Sequence, residues 1–235
     1  MKISVLMPMF NEQDIVENTK VVEDEIKKTG LDYEIIIVDD CSTNDCYSKA
    51  RSIPSKKVKV ITYKPNNGKG YALMHGFKHS TGDYVMFIDS DLDLHPRTIH
   101  NFLEYLPKYD IVIGSKRHPE SKVHYPIARK ILSRATQLAV KTLFNLNVKD
   151  TQVGLKLFKR EVLEKVVPKI LVKRWAFDLE LLVVANKEKY KIIERPIELN
   201  FKFSSTIKPQ TIFYSFLDML AIFYRLKILR YYDQQ

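Results

Sequence analysis

Short apolar runs alternate with stretches of helical spacing through the first half of the chain. Lys2–Pro8 is apolar and β-prone and predicts a first strand. From Asn11 to Lys28, Ile15, Val16, Val22 and Ile26 recur at roughly helical intervals, and Gly30 stands where such a helix ends. Tyr33–Val38 is a continuous apolar strand that closes on Asp39-Asp40, and Val58–Tyr63 predicts a third strand. Asn66-Asn67-Gly68-Lys69-Gly70 reads as a turn and Tyr71–His79 as a helix. Gly82-Asp83 turns into the apolar run Tyr84–Ile88. Thr98–Leu106 predicts another helix and Asp110–Gly114 another strand. Apolar strands alternating with helices predict a mostly parallel sheet covered on both faces, an α/β fold.

Ligands of such sheets bind beyond the carboxyl ends of the strands. The residues that follow the predicted strands are polar: Pro8 to Glu12, Asp39-Asp40, Asp89 to Asp93, and Lys116-Arg117. Asp89, Asp91 and Asp93 fall on one side if the chain stays extended. Crowded carboxylates repel unless a cation lies among them, and hard oxygen ligands suit Mg²⁺ or Mn²⁺. Alone, the triplet fits a solvated acidic turn as well as a metal site. Four loops converging with carboxylates and cations favour the site.

The second half reads differently. Ile127–Asn145 and Thr211–Tyr232 are basic amphipathic helices, the latter rich in aromatic residues. With no linker or repeat, residues 1–235 read as one domain, the second half (121–235) an elaboration of the first (1–120). The formal charge of +10 in 235 residues implies an anionic partner. No nucleic-acid module is present in the pattern, which leaves a phosphorylated substrate or an anionic membrane surface. Cys41 and Cys46 have no metal-ligand companions, so a reducing compartment is expected. The chain opens directly on a strand, so no signal peptide is expected. No apolar run approaches the roughly 20 residues of a membrane span.

The set Pro8-Met9-Phe10-Asn11-Glu12, Val38-Asp39-Asp40-Cys41-Ser42, Gly68-Lys69-Gly70, Asp89-Ser90-Asp91 and Gly114-Ser115-Lys116 resembles family 2 glycosyltransferases of GT-A fold. The runs Asp150–Phe158 and Arg174–Glu180 look like the dolichyl-phosphate β-glucosyltransferase branch, to which dolichyl-phosphate mannose synthases are close. The resemblance implies a GT-A (Rossmann-like) sheet with C-terminal amphipathic helices. It implies a nucleotide-sugar donor and a polyprenyl or dolichyl phosphate acceptor. It places Pro8, Phe10 and Glu12 in the nucleotide pocket, and Val38 and Asp40 on base and ribose with Asp39 beside them. It puts Asp89, Ser90 and Asp91 on the sugar nucleotide, and the metal on Asp91 and Asp93 with Asp89 close by. Relatives often carry Gln where Asp93 stands. Lys116 or Arg117 would hold the diphosphate; Arg129 and Ser133, with Arg134 beside them, would receive the lipid phosphate.

A divalent cation and a lysine or arginine would stabilise the departing diphosphate. A phosphate acceptor is mostly ionised near pH 7 and needs no base, whereas a saccharide hydroxyl does. Inverting displacement by a lipid phosphate is therefore expected, on the cytosolic face of a membrane, with the protein attached peripherally. Asp178 and Glu180 are the candidate bases if the acceptor is a hydroxyl; otherwise Asp178 orients the sugar or pairs with Arg174. UDP-glucose leads as donor, with GDP-mannose and UDP-N-acetylglucosamine as alternatives. A nucleotidyltransferase would need a glycine-rich basic loop near the N-terminus, and a binding module would not need the acidic triplet.

Overall fold

The apolar runs do become strands. In the computed structural model, which describes residues 1–121, 127–198 and 209–233 (backbone only at 127–135 and 209–212), seven of them form one sheet. The strands are β1 (Lys2–Met9), β2 (Asp32–Asp39), β3 (Val58–Thr62), β4 (Tyr84–Phe87), β5 (Ile111–Ser115), β6 (Lys156–Lys159) and β7 (Ile192–Pro196). Their order is β3-β2-β1-β4-β6-β5-β7. All neighbours are parallel except around β6, which runs antiparallel to both β4 and β5. Ile35, Ile36, Ile37 and Val38 are all fully buried, although successive side chains point to opposite faces. That requires cover on both sides, which the helices supply.

These are α1 (Ile15–Lys27), α2 (Cys46–Arg51), α3 (Lys69–Lys78), α4 (Ile99–Leu103), α5 (Ile127–Phe144), α6 (Arg160–Val166), α7 (Phe177–Lys187) and α8 (Pro209–Lys227). α3 lies close on β2: a side chain at Gly76 would begin 2.8 Å from Val38 Cγ2. Two expectations shift. α3 begins at Lys69, so the turn expected through Gly70 ends earlier. The helix expected over Thr98–Leu106 is a 3₁₀ turn, Pro96–Thr98, followed by α4; His95 Nδ1 accepts the Arg97 N–H and caps that turn. α2, α6, the strand β6 and the edge strand β7, whose sequence Ile-Ile-Glu-Arg-Pro is half-buried, had no expectation.

α7 is apolar nearly all round and buried from Phe177 to Ala185. Glu180, fully buried, ties it to its surroundings. One oxygen accepts the N–H groups of Leu171 (3.0 Å) and Val172 (2.7 Å). The other accepts from Arg225 of α8 (2.8 Å) and from the Tyr232 hydroxyl. Glu180 is thus fully used in joining three segments, and the structure removes it as a candidate base.

Removing a partner from a buried, hydrogen-bonded charge pair strands the other charge. Glu180→Ala is expected to lower the unfolding free energy by about 3–5 kcal/mol, read by urea denaturation; a loss within experimental error would refute this role.

Candidate functional site

The loops after β1, β2, β4 and β5 meet at one edge of the sheet, as strand direction requires. Side chains of the loops lock them together. Asn11, with φ +57°, accepts the Thr43 N–H at 2.8 Å through its side-chain oxygen. Its own N–H donates to Ser42 Oγ at 2.9 Å. Asn18 of α1 donates to the Ser90 carbonyl at 2.9 Å and pins the acidic turn.

Asp40 is buried and organises the loop before α3. Its carboxylate accepts the Asn67 N–H (2.8 Å), the Gly68 N–H (2.8 Å) and the Tyr63 hydroxyl (2.7 Å). Gly68 sits at φ +93°, and a Cβ there would lie 2.7 Å from Arg174 Cγ, so the loop closes in this way only with glycine. Asp39 accepts from Ser42 N (3.1 Å) and Thr62 Oγ1 (2.8 Å). Both aspartates therefore shape the loops at the expected nucleotide edge. Val38 does not face that edge: its side chain is fully buried against Gly76, so the expected base contact is corrected to a core contact. Pro8 is half-buried at the end of β1, Phe10 is 52% exposed, and Glu12 accepts the Asp14 N–H at 3.1 Å.

The acidic turn does not stay extended. Leu92 takes φ +49°, and Asp91 Oδ1 accepts the Asp93 N–H at 3.1 Å. Among the described residues no three of His, Cys, Asp and Glu gather around a cation position. Asp89 instead forms an ion pair with Lys69, the first residue of α3. Behind it lies a second pair, Lys156 Nζ to Asp178 Oδ1 at 2.6 Å, with side chains 1% and 6% exposed. Asp178 is thus paired with Lys156, not with Arg174.

These charges act on one another. Burial works against the Asp89 carboxylate, but Lys69, then Lys156 and Lys116, more than offset it and hold its pKa below the usual value. Burial likewise disfavours the Lys69 ammonium, yet Asp89 and Asp178 hold its pKa above the usual lysine value. At Lys156 burial outweighs Asp178 and the pKa falls. Asp91 lacks a lysine this near: burial and the neighbouring Asp89 charge push its pKa up to about 6.

The two cations after β5 part company. The Lys116 N–H donates to Asp150 at 3.2 Å, and its charge acts on Asp89. Arg117 reaches Gln137 of α5 at 2.5 Å. Arg129, Ser133 and Arg134 fall on α5 where side chains lie outside the described residues. Lys156 and Gly154 carried no expected role. A lone lysine inside the apolar run Gly154-Leu155-Lys156-Leu157-Phe158 is the signal that points to it.

A mostly parallel sheet with one reversed strand, an acidic turn after β4 and lysines converging on it define an α/β fold of the GT-A class. Residues 4–167 match the model of "Glycosyl transferase family 2", and the chain belongs to that family. It is 32% identical over 212 residues to a dolichyl-phosphate beta-glucosyltransferase of Dictyostelium discoideum, covering 82% of this chain and 64% of that one. A dolichyl-phosphate beta-glucosyltransferase of Trichomonas vaginalis is 30% identical over 247 residues, 96% of this chain and 75% of that one. The chain thus spans less than two thirds of the first relative's length. Glucosyl-3-phosphoglycerate synthase from Mycobacterium tuberculosis, solved with Mn²⁺, UDP and glucosyl-3-phosphoglycerate, superposes with a TM-score of 0.68. That match covers 94% of this chain and 79% of the other at 20% identity, and it concerns the fold.

Asp91, with its pKa raised to about 6, gives up its proton only as pH rises through that value, so any cation that binds it would compete with that proton. Mn²⁺ binding in the presence of UDP is expected to level off about one pH unit above that pKa and to weaken as pH falls through it, approaching tenfold per unit as one proton competes. Titration calorimetry between pH 5 and 8 reads this. Asp91→Asn abolishes the pH step; a step that survives it refutes the assignment.

Proposed function

We propose that this protein transfers a hexose, foremost from UDP-glucose, to the phosphate of a polyprenol such as dolichyl phosphate. Two curated relatives of that activity align at 32% and 30% identity. The observation that favours a phosphate over a hydroxyl acceptor is the state of Asp178. A hydroxyl must lose a proton to a base, and Asp178 is buried and held by Lys156 at 2.6 Å. A phosphate monoester is already ionised and attacks without one. The product of such a single displacement has the inverted, β configuration.

Pro8, Phe10 and Glu12 line the end of β1, where the nucleotide would lie against loops held by Asp39 and Asp40. Lys69 neutralises Asp89, which otherwise would repel a diphosphate; Lys116 adds a second positive charge on that side. A divalent cation fits the remaining residues. The ionised form of the Asp91 carboxyl is disfavoured by its surroundings and by the Asp89 charge, and Asp93 adjoins it. Asp91 with Asp93 would hold Mg²⁺ or Mn²⁺, and the donor's phosphate oxygens would complete the ligand set. When bound, the metal supplies neutralisation of the charge that grows on the leaving diphosphate. Arg129, Ser133 and Arg134 remain the proposed acceptor-phosphate group.

An isoprenoid acceptor resides in a bilayer, so the protein works at its surface. Among the described residues no helix is long and apolar enough to cross a membrane. α8 nevertheless exposes Phe213 (59%), Tyr214 (63%), Phe216 (50%) and Tyr224 (51%) and carries exposed Lys227 in its last turn, Arg225 being held by Glu180. An apolar face beside basic residues suits peripheral attachment to anionic lipid.

Incubation with radiolabelled UDP-glucose, dolichyl phosphate and Mn²⁺ is expected to move label into the organic phase as a β-linked product. Label that stays aqueous with every nucleotide-sugar tried would refute the reading, and an α-linked product would refute the displacement. Asp178→Asn keeps near-normal turnover at saturating donor, because no base is lost; loss of a true general base would reduce kcat by about 10²–10⁴-fold.

A further inference from the structure

Resting on the proposed transferase reading, we infer that Lys156 is a positioning residue of the donor site, acting on Asp89 through the Val153–Gly154 segment. Its ammonium is 1% exposed and has two acceptors, Asp178 Oδ1 at 2.6 Å and the Val153 carbonyl at 2.5 Å. Gly154, the next residue, lies against Asp89. A Cβ there would be 2.0 Å from Asp89 Oδ2 and 2.5 Å from its Cγ, a contact that leaves room only for hydrogen. Lys156 therefore fixes the carbonyl immediately before the residue that walls in Asp89.

The sheet stiffens both ends of this contact. Lys156 opens β6, where it pairs with Phe87 of β4 on one side and Ile113 of β5 on the other. Phe87 is two residues before Asp89. Asp89 is consequently placed by its own strand and by the segment that Lys156 holds. Packing alone does not call for this lysine, since a buried ion pair replaced by apolar groups of similar volume is often neutral or stabilising. What an apolar side chain lacks is a donor for the Val153 carbonyl. Reversal of β6 makes the arrangement possible, because its first residue lies at the edge where β4 and β5 end.

The test compares Lys156→Met with Gly154→Ala, two changes that reach Asp89 through the same Gly154 contact. Each is expected to raise the donor KM and the UDP-glucose Kd at least about tenfold with kcat changed far less, the signature of lost donor binding. The double variant is expected to be no worse than the more severe single, since both act on one contact. Urea denaturation is run on each. If Lys156→Met does not fold, Lys156→Met/Asp178→Leu removes both charges and restores the fold; its donor KM is expected to stay high. A folded variant without Lys156 that has the wild-type donor KM overturns the inference, as do additive effects in the double variant. A wild-type protein that binds no nucleotide-sugar overturns the transferase reading itself, and this inference with it.

Discussion

Carboxylates brought together at the ends of parallel strands repel one another, and this protein meets that repulsion largely with its own lysines. Lys69 enters from the first turn of α3 and Lys156 from the first position of β6. Each faces an aspartate, Asp89 and Asp178, and the two pairs lie near enough for their charges to act across one another. The acidic turn is thereby held in one arrangement before any ligand arrives. Asp91, at the outer end, is the carboxyl left with surplus negative potential. Electrostatic balance inside the cleft and a raised pKa at its mouth are two results of the same placement.

Much of this was readable from the residues. The β1, β2, β3 and β4 runs, the helix following β1 and the polar residues beyond each strand end followed from hydrophobic spacing. The family likeness added the GT-A class. β6 and β7 were hidden for physical reasons. Lys156–Lys159 is four residues bounded by charges, so it shows no periodicity, and its antiparallel direction depends on partners distant in the chain. β7 has a half-buried edge sequence with Glu194, Arg195 and Pro196, which spacing alone assigns to a loop.

The site residues divide in a similar way. Asp89 and Asp91 stand where the strand-end argument put them, but their partners were not visible. Ion pairing between residues 20 or more positions apart, such as Lys69 with Asp89 or Lys156 with Asp178, is decided by tertiary placement. Val38 illustrates the opposite error. Its place beside Asp39 suggested a ligand contact, but an alternating strand turns adjacent side chains to opposite faces, and Val38 faces α3. Asp40, by contrast, acts through a loop: by accepting two N–H groups it shapes the backbone around Gly68 and Lys69.

Glu180 connects two regions that would otherwise be described apart. One of its oxygens holds the backbone of Leu171 and Val172, the other holds Arg225 in the last turn of α8 and Tyr232 in the 3₁₀ turn that follows it. Two turns of helix at most separate it from Phe177, and Asp178 lies on the same rigid rod. α8, with its exposed aromatic face, is therefore riveted to the helix that carries the inner ion pair. A carboxylate whose charge is spent inside the protein thus helps to set where the exposed aromatic face of α8 sits relative to the inner ion pair.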